Sequence, residues 1–219
     1  METTNNSIIH TLKATFGSAF GSGWRTMMKY FLELLLVSVV VAVAQMPMGI
    51  FNFSEAVGLS PVIVLFQMFA VAYGLFILGP IGYGTKFVYL KAVRDEKFEI
   101  KELFAAFQNY LNVILANLLV AAIVIAGMVM IIIPGIIFAC KLAFVPYLVM
   151  DKKLDPVEAV KTSWQMTKGH AWTIFFMGFV SFFIIIGGLL VFILGVFPAA
   201  MWISSAYASL YHAVDKELN

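Results

Sequence analysis

Six apolar segments dominate this sequence and constrain its fold more than any other feature. They are 16 to 24 residues long and together contain two acidic or basic residues, Glu33 and Lys141. A helix needs roughly 20 apolar residues to cross about 30 Å of hydrocarbon. The segments are Tyr30–Met46, Pro61–Gly84, Leu111–Ile133, Gly135–Met150, Ala171–Leu194 and Pro198–Val214. The sequence therefore predicts an all-α integral membrane protein with six transmembrane helices in hairpins.

The composition excludes the main alternatives to a membrane protein. The chain is 62% hydrophobic and 12% charged, whereas soluble domains are about 45–50% apolar and about 25% charged. A disordered chain would combine low hydrophobicity with high net charge, but the net charge is +2. So small a net charge indicates no nucleic-acid partner. Because Cys140 is the single cysteine, an intrachain disulfide and a CxxC metal or redox site are excluded.

The basic residues predict the orientation of the chain. Thirteen of the fourteen lysines and arginines fall in segments that a six-helix topology places on one side. They are Lys13, Arg25, Lys29, Lys86, Lys91, Arg94, Lys97, Lys101, Lys152, Lys153, Lys161, Lys168 and Lys216. The loops of the opposite side contain no basic residue, and Glu55 is their only charge. The positive-inside rule therefore predicts that both termini are cytoplasmic.

Three cytoplasmic segments have the pattern of short amphipathic helices: Ile8–Phe20, Glu99–Phe107 and Asp155–Lys168. In the third, Asp155 is a suitable N-cap, and Val157, Val160 and Trp164 recur on one face. Helices of this kind lie in the headgroup layer of a membrane. Alternatively, they pack on the transmembrane bundle, and the sequence leaves both arrangements open.

The pattern of segments predicts one multi-pass membrane domain over residues 1–219, with a weak threefold repeat. Each third contains an amphipathic helix, a membrane helix, a turn and a second membrane helix. The predicted parts are an amphipathic segment 1–29, a first helix pair 30–84, a connector 86–110, a second pair 111–150, a connector 151–169, a third pair 171–214 and a tail 215–219. Pro134 and Gly135 are predicted to form the tight turn of the second pair.

Two stretches resemble a group of small bacterial and archaeal membrane proteins. One runs Ile133-Pro134-Gly135-Ile136, with Lys141 and Pro146-Tyr147 after it. The other contains Pro156-Val157-Glu158-Ala159, Ser163-Trp164 and Thr167-Lys168-Gly169-His170. Together they are similar to the YciC-like proteins and to the membrane domain attached to some glycerophosphoryl diester phosphodiesterases. The resemblance implies a six-helix fold in the inner membrane of a bacterium, and it implies no activity for this chain, which has no room for the separate catalytic domain.

Lys141 is the most conspicuous single residue, because the predicted topology places it in the middle of the fourth membrane helix. A lysine at such a depth costs roughly 2.5–3.5 kcal/mol. It would face a cavity that binds an anionic headgroup or a carboxylate, or it would form a buried pair with an acid or with free carbonyl groups. Glu33 and Asn117 are the predicted intramembrane polar partners.

A cluster of polar and aromatic residues precedes the fifth predicted membrane helix. It consists of Asp155, Glu158, Trp164, Thr167, Lys168 and His170. The cluster would contact lipid headgroups or a protein partner at the cytoplasmic interface, or it would only cap helices and anchor them at the interface. A single histidine does not make a metal site, and we expect neither a metal nor a cofactor.

The sequence favours a protein without enzymatic activity, because it contains no HExxH, GxSxG, P-loop or dinucleotide motif. The leading hypothesis is an accessory, assembly or scaffolding component of the inner membrane that acts through protein partners or lipids. The alternative is a transporter or permease for a small or lipid-like solute, with a cavity around Lys141. A third hypothesis is an enzyme acting on lipid headgroups, which would require Glu158, Lys168 and His170 to converge.

Overall fold

The chain folds entirely into helices in the part that the computed structural model describes, which is residues 14–53, 61–130, 132–190 and 195–218. We number ten α-helices: α1 (Phe16–Lys29), α2 (Phe31–Phe53), α3 (Pro61–Tyr73), α4 (Gly79–Val93), α5 (Tyr110–Met130), α6 (Ile132–Lys141), α7 (Val145–Asp151), α8 (Pro156–Met166), α9 (Ala171–Leu190) and α10 (Val196–Leu218). A π-helical segment, Gly74–Leu78, joins α3 to α4, and a 3-10 helix, Ile100–Asn109, precedes α5.

Five stretches of the described chain are long and apolar enough to cross a membrane. They are Phe31–Gly49, Ile63–Val93, Ile100–Val129, Ile133–Asp151 and Ala171–Leu190. The protein is therefore a multi-pass membrane protein by length and composition. The 23 residues of α10 are not in this set, because serine, tyrosine and histidine side chains lower the hydropathy of that helix. These side chains are Ser204, Ser205, Tyr207, Ser209, Tyr211 and His212.

One predicted helix boundary at a proline is wrong. The first apolar span ends at Gly49, close to the predicted end at Met46, although α2 itself continues through Pro47 to Phe53. Pro134 and Gly135 do not form a turn, because both lie in the first turn of α6, after α5 has ended at Met130. Proline is tolerated there since the first amide groups of a helix have no partner within the helix. Gly135 is buried, and a Cβ atom on it would lie 2.9 Å from the backbone nitrogen of Met128, so the glycine allows α5 and α6 to pack closely.

The predicted fourth membrane helix, Gly135–Met150, is broken in two. α6 ends at Lys141 and α7 begins at Val145, with Pro146 in its first turn. Proline has no amide hydrogen, and its ring clashes with the carbonyl group four residues earlier, so a continuous helix is disfavoured at this point. Lys141 therefore lies at the end of α6, near the middle of the apolar stretch Ile133–Asp151.

Near three prolines, a hydroxyl group from a neighbouring element binds a backbone carbonyl group. Near Pro47, the hydroxyl of Tyr73 donates to the carbonyl of Ala44 at 2.8 Å. Before Pro80, the hydroxyl of Tyr110 donates to the carbonyl of Phe76 at 3.1 Å, within the π-helical segment. The third case, at the break before Pro146, is described below. Phe76 lies four residues before Pro80, at the carbonyl whose helical partner amide the proline lacks, and such a group needs another partner where water is absent.

Most of the buried side chains lie towards the carboxyl ends of α4, α7 and α10. Every residue from Val145 to Met150 is buried. The rings of Tyr147 and Tyr211 stack at 4.9 Å with an interplanar angle of 14°, and Tyr89 of α4 is also fully buried. The packed core of the molecule is therefore built around these three helix ends.

The three predicted amphipathic segments all pack one face on this core. The first begins at Phe16 as α1, and residues 8–13 of the prediction lie outside the described residues. The second is a 3-10 helix that buries Leu103 and Ala106. In all three, other apolar side chains remain exposed. These are Phe16, Trp24 and Met28 of α1, Ile100, Phe104 and Phe107 of the 3-10 helix, and Val157 of α8.

The sequence left open whether the face of Val157, Val160 and Trp164 meets headgroups or the bundle. The fully buried residues of α8 are Ala159, Ser163 and Met166, and Val157 is 56% exposed. The small side chains and the Ser163 hydroxyl allow a close approach to the break between α6 and α7. Val157 and Lys161 are consequently exposed, while Val160 and Trp164 are partly buried at the edge of the core.

Candidate functional site

The break between α6 and α7 is closed by two hydroxyl groups of the α8 region. The carbonyl oxygen of Lys141 accepts hydrogen bonds from Ser163 Oγ at 2.8 Å and from Thr167 Oγ1 at 3.3 Å. Both Ser163 and Thr167 are completely buried. Thr167 Oγ1 also lies 2.8 Å from the carbonyl of Ser163. These contacts fix the end of α8 against Lys141 and place its neighbour Trp164 beside the lysine side chain.

The Lys141 ammonium group lies over the indole ring of Trp164. Its Nζ is 5.8 Å from the ring centroid, within the range of a cation–π interaction. The Trp164 ring is in turn 5.5 Å from the ring of Phe138. Among the described residues, no carboxylate lies within 4.0 Å of Lys141 Nζ, and the side chain is only partly buried.

The predicted partners of Lys141 are elsewhere. Glu33 is exposed in the first turn of α2. Asn117 lies on α5 against the start of α4, where a Cβ atom on Gly79 would be 2.7 Å from its Nδ2. The structure therefore does not bring Lys141, Glu33 and Asn117 together. The Lys141 side chain instead lies against Trp164 of α8.

Two apolar cavities lie between α6 and α9, next to this site. The larger has a volume of about 500 Å³ and contacts Ile133, Ile137, Trp172 and Phe175. The second, of about 340 Å³, reaches Tyr207 of α10. Cys140 contacts both cavities, and Lys141 contacts neither. A third recess, of about 320 Å³, lies on α8 between Val160, Lys161, Trp164, Gln165 and Lys168.

The predicted polar cluster around α8 separates into different groups. Trp164 and Thr167 belong to the Lys141 site described above. Asp155 is the N-cap residue of α8, and its Oδ1 lies 3.5 Å from Asn112 Nδ2. Glu158 and Lys168 are exposed at opposite ends of α8.

His170 is held by the last turn of α10 rather than by the cluster. Its Nε2 lies 3.5 Å from Glu217 Oε2. The other oxygen of Glu217 accepts a hydrogen bond from the backbone amide of Ala14 at 2.9 Å. The arrangement required for an enzyme acting on headgroups, with Glu158, Lys168 and His170 in one cleft, is therefore not formed.

Sequence reasoning missed an ionic network that joins the ends of α4, α7 and α10. Arg94 binds both oxygens of Asp151, with Nη1–Oδ1 at 2.5 Å and Nη2–Oδ2 at 2.7 Å. Tyr211 donates to Asp151 Oδ2 at 3.1 Å, and Lys152 pairs with Asp215. The sequence does contain a pattern that could have indicated this network. It is the repeated Tyr-x-x-x-Asp spacing, with Tyr147 before Asp151 and Tyr211 before Asp215.

The electrostatics of this network keep Arg94 charged. Burial by itself would lower the pKa of Arg94, but the hydrogen bonds and the negative charge of Asp151 more than offset it, so the pKa is raised above its ordinary value. Paired, hydrogen-bonded charges of this kind are the form in which proteins tolerate buried ions. The network therefore holds the three helix ends together and is not a free binding site.

The residues described in the structure contain no group of three or more histidine, cysteine, aspartate or glutamate side chains arranged for a metal ion. Comparison with known proteins found no match to a family model, to a curated protein or to a solved structure. The resemblance to the YciC-like proteins therefore stays a prediction.

Proposed function

We propose that the protein is a non-enzymatic, multi-pass protein of the bacterial cytoplasmic membrane, an accessory, assembly or scaffolding component that acts through lipids or protein partners. The observation that carries the proposal is the exposed apolar face kept by each of the three short helices. Trp24, Phe104 and Val157 are exposed there while other faces of the same helices are buried. Amphipathic helices with such faces bind membrane interfaces or partners.

We also propose that α10 is a sixth membrane span, with both termini in the cytoplasm. A helix of 23 residues is about 34 Å long, which is enough to cross the bilayer. Its polar face does not need to meet lipid, because Ser205, Ser209 and Tyr211 are buried against other helices. The distribution of basic residues supports the same topology.

The threefold repeat has structural support at the ends of the second helices. Non-glycine residues with positive φ follow two of them: Asp95 after α4, at 58°, and Lys153 after α7, at 55°. A fully buried tyrosine precedes each end, namely Tyr89 in α4 and Tyr147 in α7. Tyr211 has the corresponding place in α10. We propose that the three units are copies of one ancestral hairpin.

The transporter alternative has less support than the scaffolding proposal. It needs a polar cavity that reaches Lys141, but the two cavities beside α6 are lined almost entirely by apolar side chains. Lys141 lies over Trp164 instead. A solute pathway at this position would have to open between α6 and α8, where Ser163 and Thr167 hold the two helices together.

Cysteine labelling tests the topology. Replacing Cys140 by serine gives a cysteine-free background, into which Lys97→Cys, Glu55→Cys or Lys216→Cys is introduced singly. We expect a membrane-impermeant maleimide to label residues 97 and 216 from the cytoplasmic side of vesicles, and residue 55 only from the other side. Labelling of residues 97 and 216 from opposite sides would overturn the sixth span.

The functional proposal is tested by purification in a mild detergent followed by native mass spectrometry. We expect a stoichiometric lipid or protein partner to remain bound. A lipid-free monomer without a partner, obtained repeatedly from membranes of the source cell, would count against a scaffolding function. Turnover of a phospholipid or vectorial uptake of a solute by the purified protein in vesicles would replace it with one of the other two hypotheses.

A further inference from the structure

Three lysines surround Trp164 on the outer side of α8. Lys141 Nζ lies over the indole ring at 5.8 Å. Lys161 and Lys168 are exposed and contact the same recess as Trp164. Among the described residues, neither of these two lysines forms an ion pair with a carboxylate. The nearest acid along α8 is the exposed Glu158, one turn from Lys161.

The positive charge of this recess is next to an apolar groove. Ile137 precedes Lys141 by one turn of α6 and therefore lies on the same helix face. It contacts the cavity of about 500 Å³ between α6 and α9, together with Ile133, Trp172 and Phe175. Trp172 is 72% exposed, as is typical of tryptophans at the boundary between headgroups and acyl chains. Lys141 links the two features: its chain neighbour Cys140 lines the groove, and its Nζ lies 5.8 Å from the ring of Trp164, which lines the recess.

We propose that this site binds a phospholipid with an anionic headgroup, such as phosphatidylglycerol. The headgroup phosphate lies among Lys141, Lys161 and Lys168, and one acyl chain lies in the groove between α6 and α9. Charge complementarity selects an anion, and the continuous apolar groove selects a lipid over a free phosphate. The long side chain of Lys141 allows its ammonium group to reach the headgroup layer while its methylene groups stay in apolar surroundings.

This inference rests on the proposed membrane function and specifies the lipid that it involves. It also gives Trp164 a second role besides its contact with Phe138. The ring holds the Lys141 ammonium by a cation–π contact in the absence of lipid, so the side chain is positioned before the headgroup binds. Preorganisation of this kind lowers the entropic cost of binding.

Competition in nanodiscs tests the proposal. The full chain is placed in discs that contain dioleoyl phosphatidylglycerol and dioleoyl phosphatidylcholine in equal amounts, and the lipids retained after ejection are counted by native mass spectrometry. We expect preferential retention of one phosphatidylglycerol molecule. Lys141→Gln should reduce the preference about tenfold, since it removes one charged hydrogen-bond partner of the phosphate.

Lys97→Gln is the matched control, because it removes an equal charge from an exposed residue of the connector between α4 and α5. We expect it to leave the preference within about twofold. Equal retention of the two lipids by the unchanged protein, or equal losses with Lys141→Gln and Lys97→Gln, would overturn the proposal. Thermal unfolding of both variants in the same detergent checks that the fold is retained.

Two further experiments distinguish the contribution of the headgroup site from that of the acyl-chain groove. Soluble glycerol 3-phosphate carries the same phosphate without acyl chains, and we expect it not to displace the bound lipid. Ile137→Asn puts a polar group into the groove and should weaken retention while leaving Lys141 in place. Displacement of the bound lipid by glycerol 3-phosphate would refute binding of an acyl chain in the groove. If the unchanged protein shows no preference for phosphatidylglycerol but keeps the proposed topology and a bound partner, the lipid site is refuted and the proposed function stands.

Discussion

α7 and α9 are both apolar, yet they have opposite surroundings. Every residue of α7 from Val145 to Met150 is buried by other helices. In α9, Phe182, Leu189 and Leu190 are 61%, 63% and 81% exposed. The hydropathy of a segment therefore does not say whether protein or lipid covers it. Lipid tails are as apolar as leucine, so a segment covered by lipid gains little from burial. Only a segment covered by protein, such as α7, gains stability from specific packing.

The difference teaches where the stability of the molecule resides. The ends of α4, α7 and α10 combine buried tyrosines with the ionic network of Arg94 and Asp151. The outer parts of α2, α3 and α9 present exposed apolar side chains. Substitutions in the packed region should therefore change the free energy of unfolding, while those on the outer helices should change little.

The largest effect is expected from Arg94→Met. The change leaves the mostly buried carboxylate of Asp151 without its two hydrogen bonds from the guanidinium group. Loss of one partner of a buried ion pair costs about 3–5 kcal/mol. Unfolding in sodium dodecyl sulfate, followed by tryptophan fluorescence, measures this loss. Arg94→Lys keeps the charge without the bidentate geometry, so its free energy of unfolding should lie between those of the wild type and Arg94→Met. A wild-type unfolding curve for Arg94→Met would show that the network does not join the helix ends.

Leu148→Ala and Leu190→Ala compare the two regions directly. Leu148 is fully buried in α7, whereas Leu190 is 81% exposed in α9. The first change should reduce the free energy of unfolding by about 3 kcal/mol through the cavity it leaves. The second should stay within about 0.5 kcal/mol of the wild type. Equal losses in the same unfolding experiment would show that the outer helix is also packed against protein.

A smaller effect is expected from Ser163→Ala combined with Thr167→Val. The double change leaves the Lys141 carbonyl without the hydroxyl groups that bind it, at a cost of about 2 kcal/mol. It should also speed the reaction of Cys140 with a maleimide, because Cys140 adjoins the loosened break. Thr162→Val is the control on the same helix. Unchanged Cys140 labelling in the double variant would contradict the role of these hydroxyls.

The smallest effect is expected from Lys29→Gln. Lys29 Nζ lies 2.7 Å from Asp95 Oδ1, but both side chains are more than half exposed. Exposed ion pairs contribute little and are screened by salt. The unfolding curve should match that of the wild type at low and high salt. A clear loss at low salt would extend the packed region to the connection between α1 and α2.

The sequence was sufficient for those features that depend on local pattern. Apolar length predicted α5 to within one residue of its start, and predicted the start of α9 at Ala171. The N-cap at Asp155 also follows from local preferences. The multi-pass character of the chain needed only hydropathy.

The features that the sequence did not predict depend on contacts between residues that are distant in the chain. The carbonyl groups near Pro47, Pro80 and Pro146 are bound by hydroxyl groups from elsewhere in the chain, such as Tyr110 for the Phe76 carbonyl. The face that α8 buries depends on the position of the Lys141 carbonyl, which no helical periodicity reveals. Glu33 and Asn117 were plausible partners of Lys141 by type, but the structure places the lysine over Trp164 instead.

The packing of α1 on α10 has a consequence for how the protein is made. A Cβ atom on Gly23 would lie 2.6 Å from the backbone nitrogen of Ala206, and Trp202 donates to the Phe20 carbonyl at 2.9 Å. The contact thus joins two helices that are separated by more than 160 residues of sequence. During synthesis the docking face of α1 stays uncovered until α10 has been made, so this part of the bundle closes late.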